Sequence, residues 1–323
     1  METSTQSGEP LAPAFAQSAR VDWRGIGLFL LLTFGISWGL WLGLRAMGVP
    51  FTIRAALGMF GPALGALLTR LIRREGWVDA GLGLRTRGQR GAGWMYLAAY
   101  VVPPVLIAAS IGFVLLVGYE QWDLNQHLHT LADALQTRLG TRGLQGMSTT
   151  QLASISLIAQ TVLAFTLGLP FNMIFTFGEE FGWRGYLLPR LAPLGGLPAA
   201  ILVGLVWGFW HAPLIVLDGY NYPGHPWLGI VVMMLFTVLL SIIFAWLRFR
   251  SGSVWPSTLA HAAFNAQAGF GALVLSGGNS LLRAPIGLLG LVPMFCFALV
   301  LVVTGRVQPE APVLPLARTN ETN

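Results

Sequence analysis

Polar residues interrupt this chain only at intervals. Between them lie eight mostly apolar runs, at roughly 25–45, 55–72, 93–117, 155–178, 198–217, 227–247, 254–274 and 285–304. About 20 apolar residues are needed for a helix to cross a hydrocarbon core. The pattern therefore predicts an all-α fold, a polytopic transmembrane helix bundle of about eight spans. The fourth run is the least regular. Its apolar character begins near Leu152, meets Gly168 and Pro170, and is predicted to kink near Pro170, because proline removes a backbone donor and crowds the preceding turn. It is then expected to continue helically past an acidic pair as far as Pro189. Between the third and fourth runs, Leu124, Leu128, Leu131, Leu135 and Leu139 recur at helical spacing and predict an amphipathic helix on the outer interface. His127 and His129 within it lie two residues apart and point in different directions, which is poor geometry for a shared metal. Gly61 and Gly65, four apart, should permit a close helix contact.

Composition identifies the solvent. Hydrophobic residues make up 54% of the 323 positions and charged residues 10%, with mean hydropathy +0.66. Soluble domains carry about 25% charged residues, so this chain could not cover a water-facing surface. All 19 basic residues are arginines. With the N-terminus in the cytoplasm and eight crossings, 14 arginines fall inside, and five (Arg45, Arg54, Arg138, Arg142 and Arg283) fall outside. That bias follows the positive-inside rule and predicts both termini cytoplasmic, in an integral protein of a bacterial plasma membrane. Arginines dealt out between apolar segments do not form the single basic face that nucleic acid requires. The one cysteine, Cys296, allows neither an intrachain disulfide nor a cysteine cluster for metal. Residues 1–23 lack the compact basic start of a signal peptide, so the first run is read as a retained span.

Ionisable groups inside a span are costly and mark function by default. Of the 13 acidic residues, only Glu179 and Glu180 stand at the end of an apolar run rather than in a tail or loop. Adjacent helical positions differ by about 100°, so the two should meet different partners. Arg184, four residues after Glu180, is placed to pair with it, which leaves Glu179 for another role. His211 sits in a wholly apolar stretch, LVWGFWHAPLIVL. His261 and Asn265 are one turn apart on one helical face. Each feature alone has a plain structural reading: solvated interface glutamates, a packed histidine, polar glue between helices. Their joint occurrence at similar depth in three spans suggests one hydrated cavity open to the cytoplasm.

These residues resemble the motifs of the type II CAAX prenyl endopeptidases and their bacterial relatives, the CPBP intramembrane peptidases, which include proteins like lysostaphin resistance protein A. Glu179, Glu180 and Arg184 match Glu-Glu-x-x-x-Arg. His211 matches Phe-x-x-x-His with Trp207 in place of the phenylalanine, and His261 with Asn265 matches His-x-x-x-Asn. The resemblance covers roughly 155–275. It divides the chain into a cytoplasmic polar tail at 1–23, three spans and an outer loop at 24–152, the peptidase core at 153–275, a last span at 276–304, and a disordered cytoplasmic tail at 305–323.

The resemblance implies hydrolysis of peptide bonds in a membrane-associated protein or peptide, CAAX-type or prenylated substrates included, reaching the site from lipid or cytoplasm. Glu179 is the expected general base toward water, with His211 holding that water. His261 and Asn265 are the expected oxyanion donors, each worth about 2.7–4 kcal/mol in comparable sites. Glu180 and Arg184 are supporting residues. No cofactor is required by this scheme. The alternatives are a zinc peptidase with Glu179, His211 and His261 as ligands, a non-catalytic bacteriocin-immunity or chaperone-like protein on the same fold, and a transporter, which would show repeated halves that this sequence lacks.

Overall fold

The structure, a computed structural model, describes residues 20–84, 92–139 and 148–309. The expected polar tails lie largely outside these residues, as do Arg85, Arg87, Arg90 and Arg142. The described chain is a helical bundle. Helix α1 (Trp23–Ala46) starts at Asp22, whose carboxylate accepts from the Gly25 N–H at 3.1 Å. Helices α2 (Phe51–Gly58) and α3 (Gly61–Arg73) form one apolar segment broken around Met59–Phe60. Gly61 and Gly65 of α3 face Ser37 and Thr33 of α1, and a Cβ at either glycine would stand 1.8 or 2.2 Å from those hydroxyls. The close contact read from GPALG is therefore real.

Helix α4 (Ala92–Leu116) precedes a two-residue strand, β1 (Gln121–Trp122), and α5 (Leu124–Leu139), the amphipathic element, which packs on α6 (Thr149–Phe165). Helices α6 and α7 (Gly168–Gly182) are bent by 53° at Thr166–Leu167. The bend thus precedes Pro170. The proline sits in the first turn of α7, where its missing N–H would have had no helical partner. Beyond α7 the chain stays helical, as expected, through a π-helical turn at Trp183–Leu187 and α8 (Leu188–Leu191).

Helices α9 (Gly196–Trp210) and α10 (Ala212–Asp218) are separated at His211, two residues before Pro213. Then come α11 (Pro226–Ser251), α12 (Trp255–Gln267), α13 (Phe270–Val274), β2 (Leu275–Ser276, antiparallel to β1), a turn-rich segment, and α14 (Val292–Val303). Gly204 and Gly208 bring α9 against α11, where a Cβ would meet the Val238 or Met234 Cα at 2.5 Å. Thr237 Oγ1 donates to the Gly204 carbonyl at 2.9 Å across the same seam.

Each apolar run contains helix, but among the described residues only five helices, or six if the bent α6–α7 pair counts as one span, are long and apolar enough to cross a membrane. The expected eight falls short at the last two runs. Helix α12 has 13 residues and carries Ser257, Thr258, His261, Asn265 and Gln267. It is a core helix: Ser257 Oγ donates to the Phe244 carbonyl at 3.0 Å, and Thr176 Oγ1 to the Thr258 carbonyl at 3.1 Å. Helix α14 has 12 residues because turns occupy its run as far as Leu291.

The 26-residue α11 has two dissimilar ends, about 39 Å apart at 1.5 Å per residue. At its C-terminal end Arg248 donates to the carbonyls of Arg184 (3.2 Å) and Asp79 (2.8 Å), and nearby Arg70 donates to the Gly185 carbonyl (2.9 Å). Two arginines thus serve carbonyls within the π-helical turn, where helical bonding is irregular. Asp79 is held by Arg70 and Arg190, each at 2.8 Å. Burial raises its carboxyl, but the hydrogen bonds and charges of the two arginines outweigh this and leave it below the usual carboxylate range. At the N-terminal end of α11, His225 contacts Asn279 at 3.1 Å. Asp218 there takes Arg54 at 2.7 and 2.5 Å and also pairs with Arg45.

Candidate active site

The acidic pair behaves as the helical geometry requires. Both glutamates are buried, 2% and 0% exposed, which removes the solvated-interface reading. Glu180 points away from the cavity toward Arg184, 2.8 Å from Nη1, and the same Oε1 lies 3.0 Å from His261 Nδ1. The arginine also lies over the Trp207 and Phe244 rings, at 4.6 and 5.0 Å from their centroids. The expected ion pair is present, and its second partner, His261, had no local signal in the sequence.

Glu179 faces the opposite way. Its Oε2 accepts from Trp207 Nε1 at 2.6 Å and from Trp183 Nε1 at 3.4 Å. No donor among the described residues reaches Oε1. Two indoles thus fix one oxygen of the carboxylate and leave the other to the cavity. His211 closes α9, and its Nδ1 lies 3.0 Å from the Trp207 carbonyl. A carbonyl can only accept, so Nδ1 carries the proton and Nε2 of the neutral ring holds a lone pair. Tyr220 stacks on this imidazole at 6.0 Å and 15°. Burial, with the Glu179 charge adding to it and a bond with Asn221 opposing it, pushes the Tyr220 phenol up, so its hydroxyl keeps its proton.

Glu179, His211, His261 and Asn265 all line one cavity of about 510 Å³. Asn265 is exposed on its wall. Met59, Leu214, Met233, Phe236, Leu240 and Phe264 supply apolar surface, and Tyr220, Asn221 and residues 283–286 complete the lining. Those last groups belong to the His225 end of α11. Among the described residues no three His, Cys, Asp or Glu side chains are grouped to hold a metal ion, and the set Glu179, His211 and His261 is no exception. His127 and His129 on α5 likewise form no such group.

Several lining or supporting residues escaped the sequence reading. Trp207 lies one turn before His211 and Trp183 one turn after Glu179, so their proximity was legible from spacing. Tyr220, Asn221 and Arg283 sit in connections without periodicity, and nothing marked them.

Residues 160–267 match the family described as type II CAAX prenyl endopeptidase Rce1-like. No curated protein matches the chain. The matched segment contains Glu179, Glu180, Arg184, His211, His261 and Asn265, and excludes Arg283.

Proposed function

We propose that this chain, whose residues 160–267 match the type II CAAX prenyl endopeptidase Rce1-like family, hydrolyses peptide bonds of membrane-associated substrates with a water activated by Glu179. The observation that carries this reading is the split environment of the Glu179 carboxylate: Oε2 held by two indoles, Oε1 free at the wall of a shared cavity.

A water between Glu179 Oε1 and His211 Nε2 donates one hydrogen to each, which turns its lone pairs toward a substrate carbonyl. As the oxygen attacks, Glu179 takes one proton. The negative charge developing on the carbonyl oxygen is met by the Asn265 amide and by His261. His261 can donate from Nε2 only when it carries both protons, because Nδ1–H is engaged by Glu180. The Glu180 carboxylate is placed to support that imidazolium, and Arg184 balances the second carboxylate. Collapse of the tetrahedral intermediate breaks the C–N bond, and the proton on Glu179 passes to the leaving amine, which restores the base.

The substrate is a protein or peptide delivered from the surrounding lipid or through the cavity mouth. The test is quantitative proteomics of membranes carrying wild-type protein or Glu179→Ala. An uncut precursor that accumulates with Glu179→Ala supports the reading, and identical membrane proteomes would sink it.

A further inference from the structure

Of the described residues lining the cavity, Arg283 is the only one with a permanent positive charge. Its nearest carboxylate is a poor partner. Glu120 Oε1 lies 3.5 Å from Arg283 Nε and makes no hydrogen bond there, while Glu120 Oε2 accepts from the Ala284 N–H at 2.8 Å. Burial pushes the Glu120 carboxyl up, and the Ala284 N–H and the Arg283 charge only partly oppose it. The Arg283 side chain is 34% exposed, and no acceptor among the described residues occupies its Nη groups. An arginine presents a planar fork that matches a carboxylate with two parallel bonds. Among the described lining residues Glu179 is the one carboxylate, and most of the remaining wall is apolar.

We propose that Arg283 is the anchor for a substrate carboxylate, and that it sets how far from that carboxylate the peptide bond is cut. This deepens the endopeptidase reading and rests on it for the cutting, though not for the binding. The spacing is fixed by the fold. The Ala284 carbonyl lies against Gly271, 3.1 Å from where a Cβ would stand, and Gly271 is ten residues beyond His261 on the α12–α13 path. At 1.5 Å per residue that is about 15 Å or less. An extended peptide covers about 3.3–3.6 Å per residue, so a carboxylate held beside the Arg283–Ala284 backbone lies within about four residues of the cut. The carboxylate can be a chain terminus or an aspartate or glutamate side chain.

Binding decides first. Fluorescein-tagged decapeptides of Leu, Ala and Ser are titrated into full-length Glu179→Gln protein in nanodiscs and read by anisotropy. One ends in a free carboxylate, one in an amide, and one in an amide with a glutamate at the last position. The free acid should bind roughly ten- to hundredfold more tightly than the plain amide, and adding Arg283→Gln should erase the difference. Glu120→Gln, which removes the competing anion, should preserve or strengthen the preference and guards against a merely misfolded Arg283→Gln. If the glutamate peptide matches the free acid, the source is a side chain; if it matches the plain amide, the source is a terminus. Equal binding of acid and amides, or a preference that survives Arg283→Gln, overturns the anchor. Internally quenched versions given to active protein then report cutting. Failure to cut with the binding preference intact counts against the endopeptidase reading alone.

Discussion

The indole N–H of Trp207 donates to the Glu179 carboxylate over 2.6 Å, while the carbonyl of the same Trp207 receives His211 Nδ1 at 3.0 Å. One residue therefore orients both groups proposed to hold the water. The ring also covers Arg184. Trp207→Phe keeps the ring and the carbonyl but removes the donor. Loss of a hydrogen bond to a charged group, about 1.5 kcal/mol at the low end, should lower kcat/KM about tenfold with expression unchanged. An unaltered kcat/KM would show that the indole bond does not serve catalysis.

Glu179→Gln, His211→Ala and His261→Ala should each reduce turnover by a factor of about 10²–10⁴ while membrane insertion and thermal stability stay near wild type. Turnover on an identified substrate is the measurement. Near-normal turnover by Glu179→Gln would end the general-base assignment.

Arg184→Ala should behave differently, because it strands the Glu180 carboxylate at 0% exposure. Breaking one side of a buried pair costs about 3–5 kcal/mol, so unfolding in detergent should occur at clearly lower temperature. The double variant Glu180→Gln/Arg184→Met should recover most of that loss. If it is as unstable as the single variant, the pair is not the cause.

Asp79 gives the arginine-rich end a pH dependence. Its carboxyl lies below the ordinary 3.8 in the folded protein, so the folded state favours the ionised form. The resulting stability is fully present above 3.8 and disappears as pH falls through the lowered folded value. Asp79→Asn should be less stable than wild type near neutrality, and the gap should narrow below pH 4. A gap that is constant from pH 7 to pH 3 would contradict this.

Reporter fusions at each end test orientation. Both termini are expected in the cytoplasm from the arginine split, with Tyr220 and Arg283 on the far side, where cysteines placed at 221 and 279 should react with impermeant reagents added outside intact cells. An external C-terminus would reverse the orientation.

What the sequence disclosed was mostly what helical periodicity encodes. The opposed directions of Glu179 and Glu180, the Glu180–Arg184 pair, the shared face of His261 and Asn265, and the glycine contact of α3 with α1 all follow from spacing within one helix. Relationships between distant segments were not encoded that way. The bond from Glu180 to His261 spans 81 positions, and Arg283 reaches the cavity from a turn-rich segment. Fewer described helices than apolar runs have the length and apolarity of a span, because an apolar run shows where lipid or core can be, not how long its helix is. The bend fell at Thr166–Leu167 rather than Pro170 because a proline is harmless in a first turn. The π-helical turn left no mark, since its sequence, WRGYL, also suits an α-helix.

Arg70 and Arg248 have two successive employments. In the orientation expected from the arginine split, each is one of the charges at a helix end that would hold the adjoining segment back from translocation. After the helices assemble, both guanidinium groups are enclosed, and they donate to the carbonyls of Gly185 and Arg184. Biogenesis and architecture thus draw on the same side chains at different times. Lysine at either position keeps the charge that insertion reads but loses the planar fork that assembly uses. An Arg70→Lys or Arg248→Lys protein would enter the membrane the right way round and then close its π-helical turn poorly.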